Sequence, residues 1–268
     1  MKRASILAAV IAGSLASHAE AATSFYTTTD LPPKYLATFN SDTPNSQVSL
    51  IGQAVGFPDG DRSTFLDLSP SGRLFAGCQV NNPTLYEFDA ASGSVVDAMV
   101  IDEGHIEGLA VASSGLVYVK TETPLSIRAV DFDARIVSLV VALPGNIIDD
   151  IDFDADGTLI GYNQTGEMYR IPLDGSPPQL VATVSSLNAW SMTFSHADNA
   201  FYLLGDGTGS GGVDELWRLP WEKGQPAGDM EYVKDIYAAP CFGLAAIPEP
   251  STVMLLGAAG LVVLRRRT

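Results

Sequence analysis

The sequence predicts an all-β chain folded as a five-bladed β-propeller, with one blade closed by both termini and a short C-terminal transmembrane helix beyond it. Three observations predict this. Turn residues recur at Gly72, Gly115, Gly157 and Asn199, separated by 43, 42 and 42 residues, and a period of roughly 40–45 residues is the length of one four-stranded blade. Each of these turns sits inside a strand–turn–strand pattern that a second hairpin follows, which gives four strands per period. Finally, Gly243-Leu244-Ala245 repeats Gly108-Leu109-Ala110 just before Pro248, so the chain stops one strand into a fifth blade.

Taken from the N-terminus, Lys2 and Arg3 precede an apolar run from Ile6 to Leu15 and the small-residue stretch Ala19-Glu20-Ala21. That is the pattern of a secretory signal peptide over residues 1–21. Segments 24–28, 35–39 and 47–52 then read as strands and supply what the fifth blade lacks. Closure by both ends leaves the ring without an open sheet edge between its first and last blades. The first complete hairpin is Phe65–Leu68, Ser69-Pro70-Ser71-Gly72, Leu74–Ala76, and its turn follows from proline presetting φ and glycine accepting a positive φ. Segments 108–118, 150–161 and 190–203 repeat it. In the last of these, asparagine stands where the others have glycine, because asparagine tolerates the left-handed conformation. The following hairpins run over 85–99, 126–143, 167–184 and 215–235. The propeller domain therefore spans residues 22–247, 226 residues, enough for five blades of about 45 residues each.

At Pro248 the pattern ends. Pro248, Glu249 and Pro250 break any regular element, since two prolines fix φ and withhold amide donors. An apolar run of 12 residues follows from Val253 to Leu264, and Arg265, Arg266 and Arg267 complete a segment of residues 248–268. Twelve residues fall short of the ~20 that span a bilayer comfortably. The run reads as a weak anchor with its arginines on the cytoplasmic side and the body facing the periplasm. In order and position, Pro248-Glu249-Pro250, the apolar run and the arginines resemble the PEP-CTERM sorting signal of exported bacterial proteins. The resemblance implies an exosortase-like processing protease as partner, passage through the inner membrane, and delivery to the outer surface or extracellular exopolysaccharide matrix of a biofilm. The repeat style of the body, S-P-S-G and D-A-D-G turns followed by aliphatic or aromatic strands, resembles exported propellers with SMP-30-like, NHL-like and lactonase-like repeats. Those folds host lyases, lactonases and binding modules alike, so they imply a fold without an activity.

Charge narrows the partners. Without the two terminal signals the body has 10 basic and 29 acidic residues, a net charge of −19. Such a field repels nucleic acid and anionic surfaces, which makes nucleic acid a poor partner and leaves polysaccharide or envelope proteins. Cys78 and Cys241 stand on adjacent predicted blades, where a disulfide can clasp the closure. Loops leading into the innermost strands bring together His105, Glu107, Asp149 and Asp150. Those residue types can bind a metal or a ligand or act as an acid/base pair, and they equally describe a solvated acidic loop. Asp152-Phe153-Asp154-Ala155-Asp156-Gly157 matches the first half of a Ca²⁺ loop, yet position twelve is Asn163 where a bidentate glutamate belongs, and the repeat demands an acidic turn here anyway. Ca²⁺ is the one cofactor these residues suggest. Gly205–Gly212 and Asp59–Arg62 read as loops on the same side of the ring, and Trp190, Trp217 and Trp221 read as either sugar platforms or interblade packing. No nucleophile with an adjacent base is present as a motif, so no catalytic residue is named. The expected function is a non-catalytic polysaccharide- or protein-binding propeller, with a metal-assisted hydrolase or lyase as the alternative.

Overall fold

A computed structural model describes residues 22–29, 33–42, 48–57, 64–78, 83–101, 104–184, 188–206, 214–236 and 241–248. The expected signal peptide, Glu249, Pro250, the apolar run, Arg265 to Arg267, and the loops Asp59–Arg62 and Gly207–Gly212 lie outside the described residues. Among the described residues no helix is long and apolar enough to cross a membrane, and the expected transmembrane helix falls on residues not described.

Strands β1 (Ser24–Thr29), β2 (Tyr35–Asn40) and β3 (Ser49–Gln53) come first. The next sheet is β4 (Thr64–Leu68), β5 (Leu74–Cys78), β6 (Thr84–Phe88) and β7 (Val95–Val100). It is followed by β8 (Ile106–Val111), β9 (Val117–Glu122), β10 (Leu125–Asp131) and β11 (Ile136–Ala142). Then come β12 (Asp150–Phe153), β13 (Leu159–Tyr162), β14 (Glu167–Ile171) and β15 (Gln179–Thr183). The last complete sheet holds β16 (Asn188–Ser195), β17 (Ala200–Asp206), β18 (Asp214–Glu222), the two-residue β19 (Gln225–Pro226) and β20 (Glu231–Ile236). Finally β21 (Cys241–Ile247) pairs with β1, giving the sheet β21-β1-β2-β3. The expected fold is observed: five antiparallel sheets, one of them sewn from both ends of the domain.

The ring closes because the innermost strands touch in sequence, β4 with β8, β8 with β12, β12 with β16, β16 with β21 and β21 with β4. Five apolar clusters fill the five gaps between neighbouring sheets. One of these gaps holds Phe25, Phe39, Tyr202, Leu204 and Leu244, with Phe25 and Tyr202 packed edge to face at 4.9 Å between centroids. Each blade is thus buried on both faces, which is why strands such as Val117–Thr121 are buried at every position.

Local chemistry sets the turns. Gly72, Gly115 and Gly157 adopt φ of 85°, 87° and 74°, and Asn199 adopts 49°. The Asn199 side-chain amide also donates to the Trp221 carbonyl. Replacing Asn199 with alanine removes this bond and keeps the left-handed strain, so we expect a loss of about 1–2 kcal/mol in urea unfolding, and Asn199→Gly is expected to lose less.

Every outermost strand is bulged against its neighbour, with register shifts at Leu36/Ala37, Glu87/Phe88, Ile127/Arg128, Met168/Tyr169 and Leu216/Trp217. These rim strands expose Leu50, Val96, Ile136, Leu139 and Leu180. A bulge twists an edge and spoils it as a template for a further strand, which protects an otherwise adhesive rim.

Candidate functional site

The innermost strands all run the same way round the channel, as the bonds between blades show. Asp150 accepts from the amide of Met192 at 2.7 Å and Asp152 from that of Phe194 at 2.6 Å, so two steps along β12 match two steps along β16. The ends where these strands begin therefore share one face, here called the leading face. The ends where they stop share the trailing face.

Lys120 dominates the leading face. It lies on β9, is completely buried, and its ammonium donates to Glu107 Oε2 and, at 2.8 Å, to Asn146 Oδ1. Glu107 precedes Gly108 on β8, and a bulge between Ile106 and Gly108 turns its side chain toward the lysine's strand. Asp149 stands beside this pair, with its amide on the Tyr162 carbonyl and its Oδ2 accepting from the Gln164 amide, both at 2.7 Å. Burial pushes the Asp149 carboxyl up, while the Gln164 amide and the nearby Lys120 charge pull it back. A buried ammonium bonded to one carboxylate and one side-chain amide, with the Asp149 carboxyl close enough to feel its charge, is a satisfied cluster, and its desolvation is repaid only because the partners are in place.

Deeper in the channel, three buried carboxylates tie the blades together. Asp67 Oδ2 accepts from the Val111 amide of the next blade at 2.5 Å and Oδ1 from Leu68. Asp150 serves three blades, with Oδ1 accepting from Ile151 and Leu109 and Oδ2 from Met192. Gly108 allows this approach, since a Cβ there would lie 3.1 Å from both the Cα and Oδ1 of Asp150. Asp152 takes the amides of Phe153 and Phe194. Desolvation raises all three carboxyls, Asp152 to about 7. For Asp67 the next cause is the charge of Asp152, two blades away across the channel. Thr193 continues the belt by accepting from Ala246 of the sewn blade at 3.1 Å.

The residues expected to converge are therefore divided among separate tasks. Glu107 and Asp149 flank Lys120, Asp150 is committed to backbone amides, and His105 sits apart with Nδ1 3.2 Å from Glu122 Oε2, both side chains about half exposed. The three carboxylates of the expected calcium loop, Asp152, Asp154 and Asp156, have separate surroundings. Asp152 faces the next blade, Asp154 is taken by the amides of Asp156 and Thr158 and by Trp221 Nε1, and Asp156 is exposed on the turn. Among the described residues, no group of three or more histidine, cysteine, aspartate or glutamate side chains is arranged to hold a metal ion. Trp221 is core, 2% exposed and edge-on to Phe201, and Trp217 packs against Tyr232. Cys78 ends β5 and Cys241 opens β21, and their side chains lie outside the described residues.

Lys120 itself escaped the sequence reading, although the repeat contained a signal. Counting five residues past the turn position gives Gly77, Lys120, Tyr162 and Leu204, and the other three are small or apolar.

From the end of the last strand onward, residues 246–267 match the PEP-CTERM protein-sorting motif. The chain carries a PEP-CTERM sorting signal. The motif begins inside β21, at Ala246, and implies a secreted protein that is transiently anchored in the membrane before an exosortase-type protease processes it. A search of curated proteins finds no match to the sequence. Solved structures match the propeller. A chain of the nidogen/laminin complex is 11% identical with a TM-score of 0.54, over 84% of this chain and 98% of that one. Kuenenia stuttgartiensis hydrazine synthase is 17% identical with a TM-score of 0.47, over 66% of this chain, which spans about half (53%) of that one. A gluconolactonase from Xanthomonas campestris is 19% identical with a TM-score of 0.48, over 69% and 68% of the two chains. At these identities the likeness concerns the fold.

Proposed function

We propose that this PEP-CTERM protein is a non-catalytic binding propeller displayed outside the cell, and that its leading face takes neutral or cationic polysaccharide. One observation carries the reading. The ionisable groups of the leading face that a hydrolase would need are bound to one another, Lys120 to Glu107 and His105 to Glu122. What this face offers a ligand is amide and aromatic surface, with Asn146, Gln164 and Asn188 exposed and Trp190 partly so. Amides and an indole suit the hydroxyls and apolar faces of sugars. The body's net charge of −19 disfavours acidic glycans. The topology that serves this role has the body on the periplasmic side and the terminal arginines on the cytoplasmic side before processing.

The test is retention of the detergent-solubilised full chain on immobilised neutral glucan, and on chitosan as the cationic case. Asn146→Ala combined with Asn188→Ala is expected to weaken retention at least tenfold. Turnover of a lactone or a glycan above background, abolished by Glu107→Gln, would instead establish the hydrolase or lyase.

A further inference from the structure

The sorting signal leaves the ring at a defined place, and the distance from there to the membrane is short. Ile247 pairs with Ser24 as the last rung of β21, at the trailing face, and Pro248 is exposed immediately beyond it. The apolar run begins at Val253, so only residues 248–252 separate the strand from the segment that enters the bilayer. Five residues reach at most about 17 Å when fully extended. The headgroup layer takes about 5–8 Å of that reach. Presenting the leading face to the bilayer would require the connection to climb back along the ring. The seven residues of β21 alone rise about 23 Å, more than the whole leash.

We propose that in the anchored precursor the trailing face of the propeller is held against the lipid headgroups and the leading face, with Lys120 and Asn146, points away from the membrane. The surface that meets the lipid is the set of turns at 69–72, 112–115, 154–157 and 195–199, together with the outer hairpin turns. It carries the exposed acids Asp42, Asp89, Asp133, Asp156, Asp174 and Asp229. Of its basic residues, Arg73 pairs with Glu87 and Asp133, Arg135 with Asp97 and Lys223 with Glu222, and Arg170 is exposed near the end of β14, so the acids outnumber the cations left to meet lipid. An acidic face has no attraction for anionic headgroups, so the leash alone keeps it there. Cutting the tail then frees the ring completely. The inference rests on the membrane-anchored precursor that the sorting motif implies and is independent of what the leading face binds.

The experiment reconstitutes the full chain in phosphatidylcholine vesicles and measures modification by a 5-kDa polyethylene-glycol maleimide. Ala155→Cys marks the trailing face and Gln164→Cys the leading face of the same blade, and both positions are exposed. The parent chain supplies the background from Cys78 and Cys241. Modification of Ala155→Cys is expected to be at least tenfold slower in vesicles than after detergent solubilisation, with Gln164→Cys unchanged. Ser114→Cys, on another trailing-face turn, is expected to behave like Ala155→Cys. A chain that floats with the vesicles but shows equal slowing, no slowing, or slowing of Gln164→Cys alone overturns the orientation. A chain that does not float with the vesicles overturns the anchored precursor and the proposal with it.

Discussion

Replacing Lys120 with methionine is expected to destabilise the propeller by about 3 kcal/mol, read as a lowered urea midpoint at unchanged slope. The ammonium is completely buried and bonded to Glu107 and Asn146. Its removal leaves the Glu107 carboxylate, only 15% exposed, beside the partly desolvated Asp149 with no cation between them. Breaking a buried pair from one side costs about 3–5 kcal/mol, and the residual exposure of Glu107 places the loss at the lower end. Adding Glu107→Gln to Lys120→Met is expected to recover most of it, because the stranded charge is then gone. The double-mutant cycle separates the pair energy from lost packing. A single-variant loss under 1 kcal/mol would mean that water reaches this cluster and that the pair is a surface feature.

The thermal midpoint is expected to be highest near pH 4–5 and to fall by roughly 5–15 °C by pH 8, the reverse of ordinary acid denaturation. The sign follows from the channel carboxyls. Burial holds Asp67, Asp150 and Asp152 above their ordinary value of 3.8, with Asp152 at about 7. A carboxyl raised in the fold binds its proton more tightly there than in the unfolded chain. Its stabilising contribution is complete below the unfolded value and is lost as pH rises from about 4 through about 7. Surface carboxyls held low by turn hydrogen bonds, Asp89 chiefly by the Ala91 amide and Asp174 chiefly by the Ser176 side chain, work in the opposite sense and only toward lower pH. Asp152→Asn should flatten the descent between pH 5 and 8. It should also lower stability at pH 5 by about 1–3 kcal/mol, since its amide group cannot accept from both Phe153 and Phe194. A profile that rises toward neutrality would show that the backbone amides outweigh burial.

The parts of the fold that could be read from the sequence are those that local chemistry decides. A left-handed residue at 72, 115, 157 and 199 is forced by a tight reversal, whatever the blade packs against. The closure could be read as well, because Gly243-Leu244-Ala245 repeats an innermost strand and then meets Pro248. The site depended on long-range geometry and was legible only in part. Glu107 and Asp149 stand out by residue type and position, but Lys120, which bonds Glu107, sits in an alternating Val-Tyr-Val-Lys-Thr run that reads as one wet and one dry face. A strand covered by blades on both sides has no wet face, so the lysine is buried and must have partners. Asp150 and Asp152 looked like ligands for the same reason. Only the approach of the neighbouring strand shows that their lone pairs are already taken by Leu109, Met192 and Phe194.

The sewn blade also sets an order of events. Translocation runs from the N-terminus, so β1, β2 and β3 emerge first and wait unpaired on one side until β21, some 190 residues later, arrives to complete their sheet. That pairing is among the most non-local contacts in the chain, and contacts of this kind form late. The sorting signal follows β21 directly, so the strand that completes the ring is also the last part of the body before that signal.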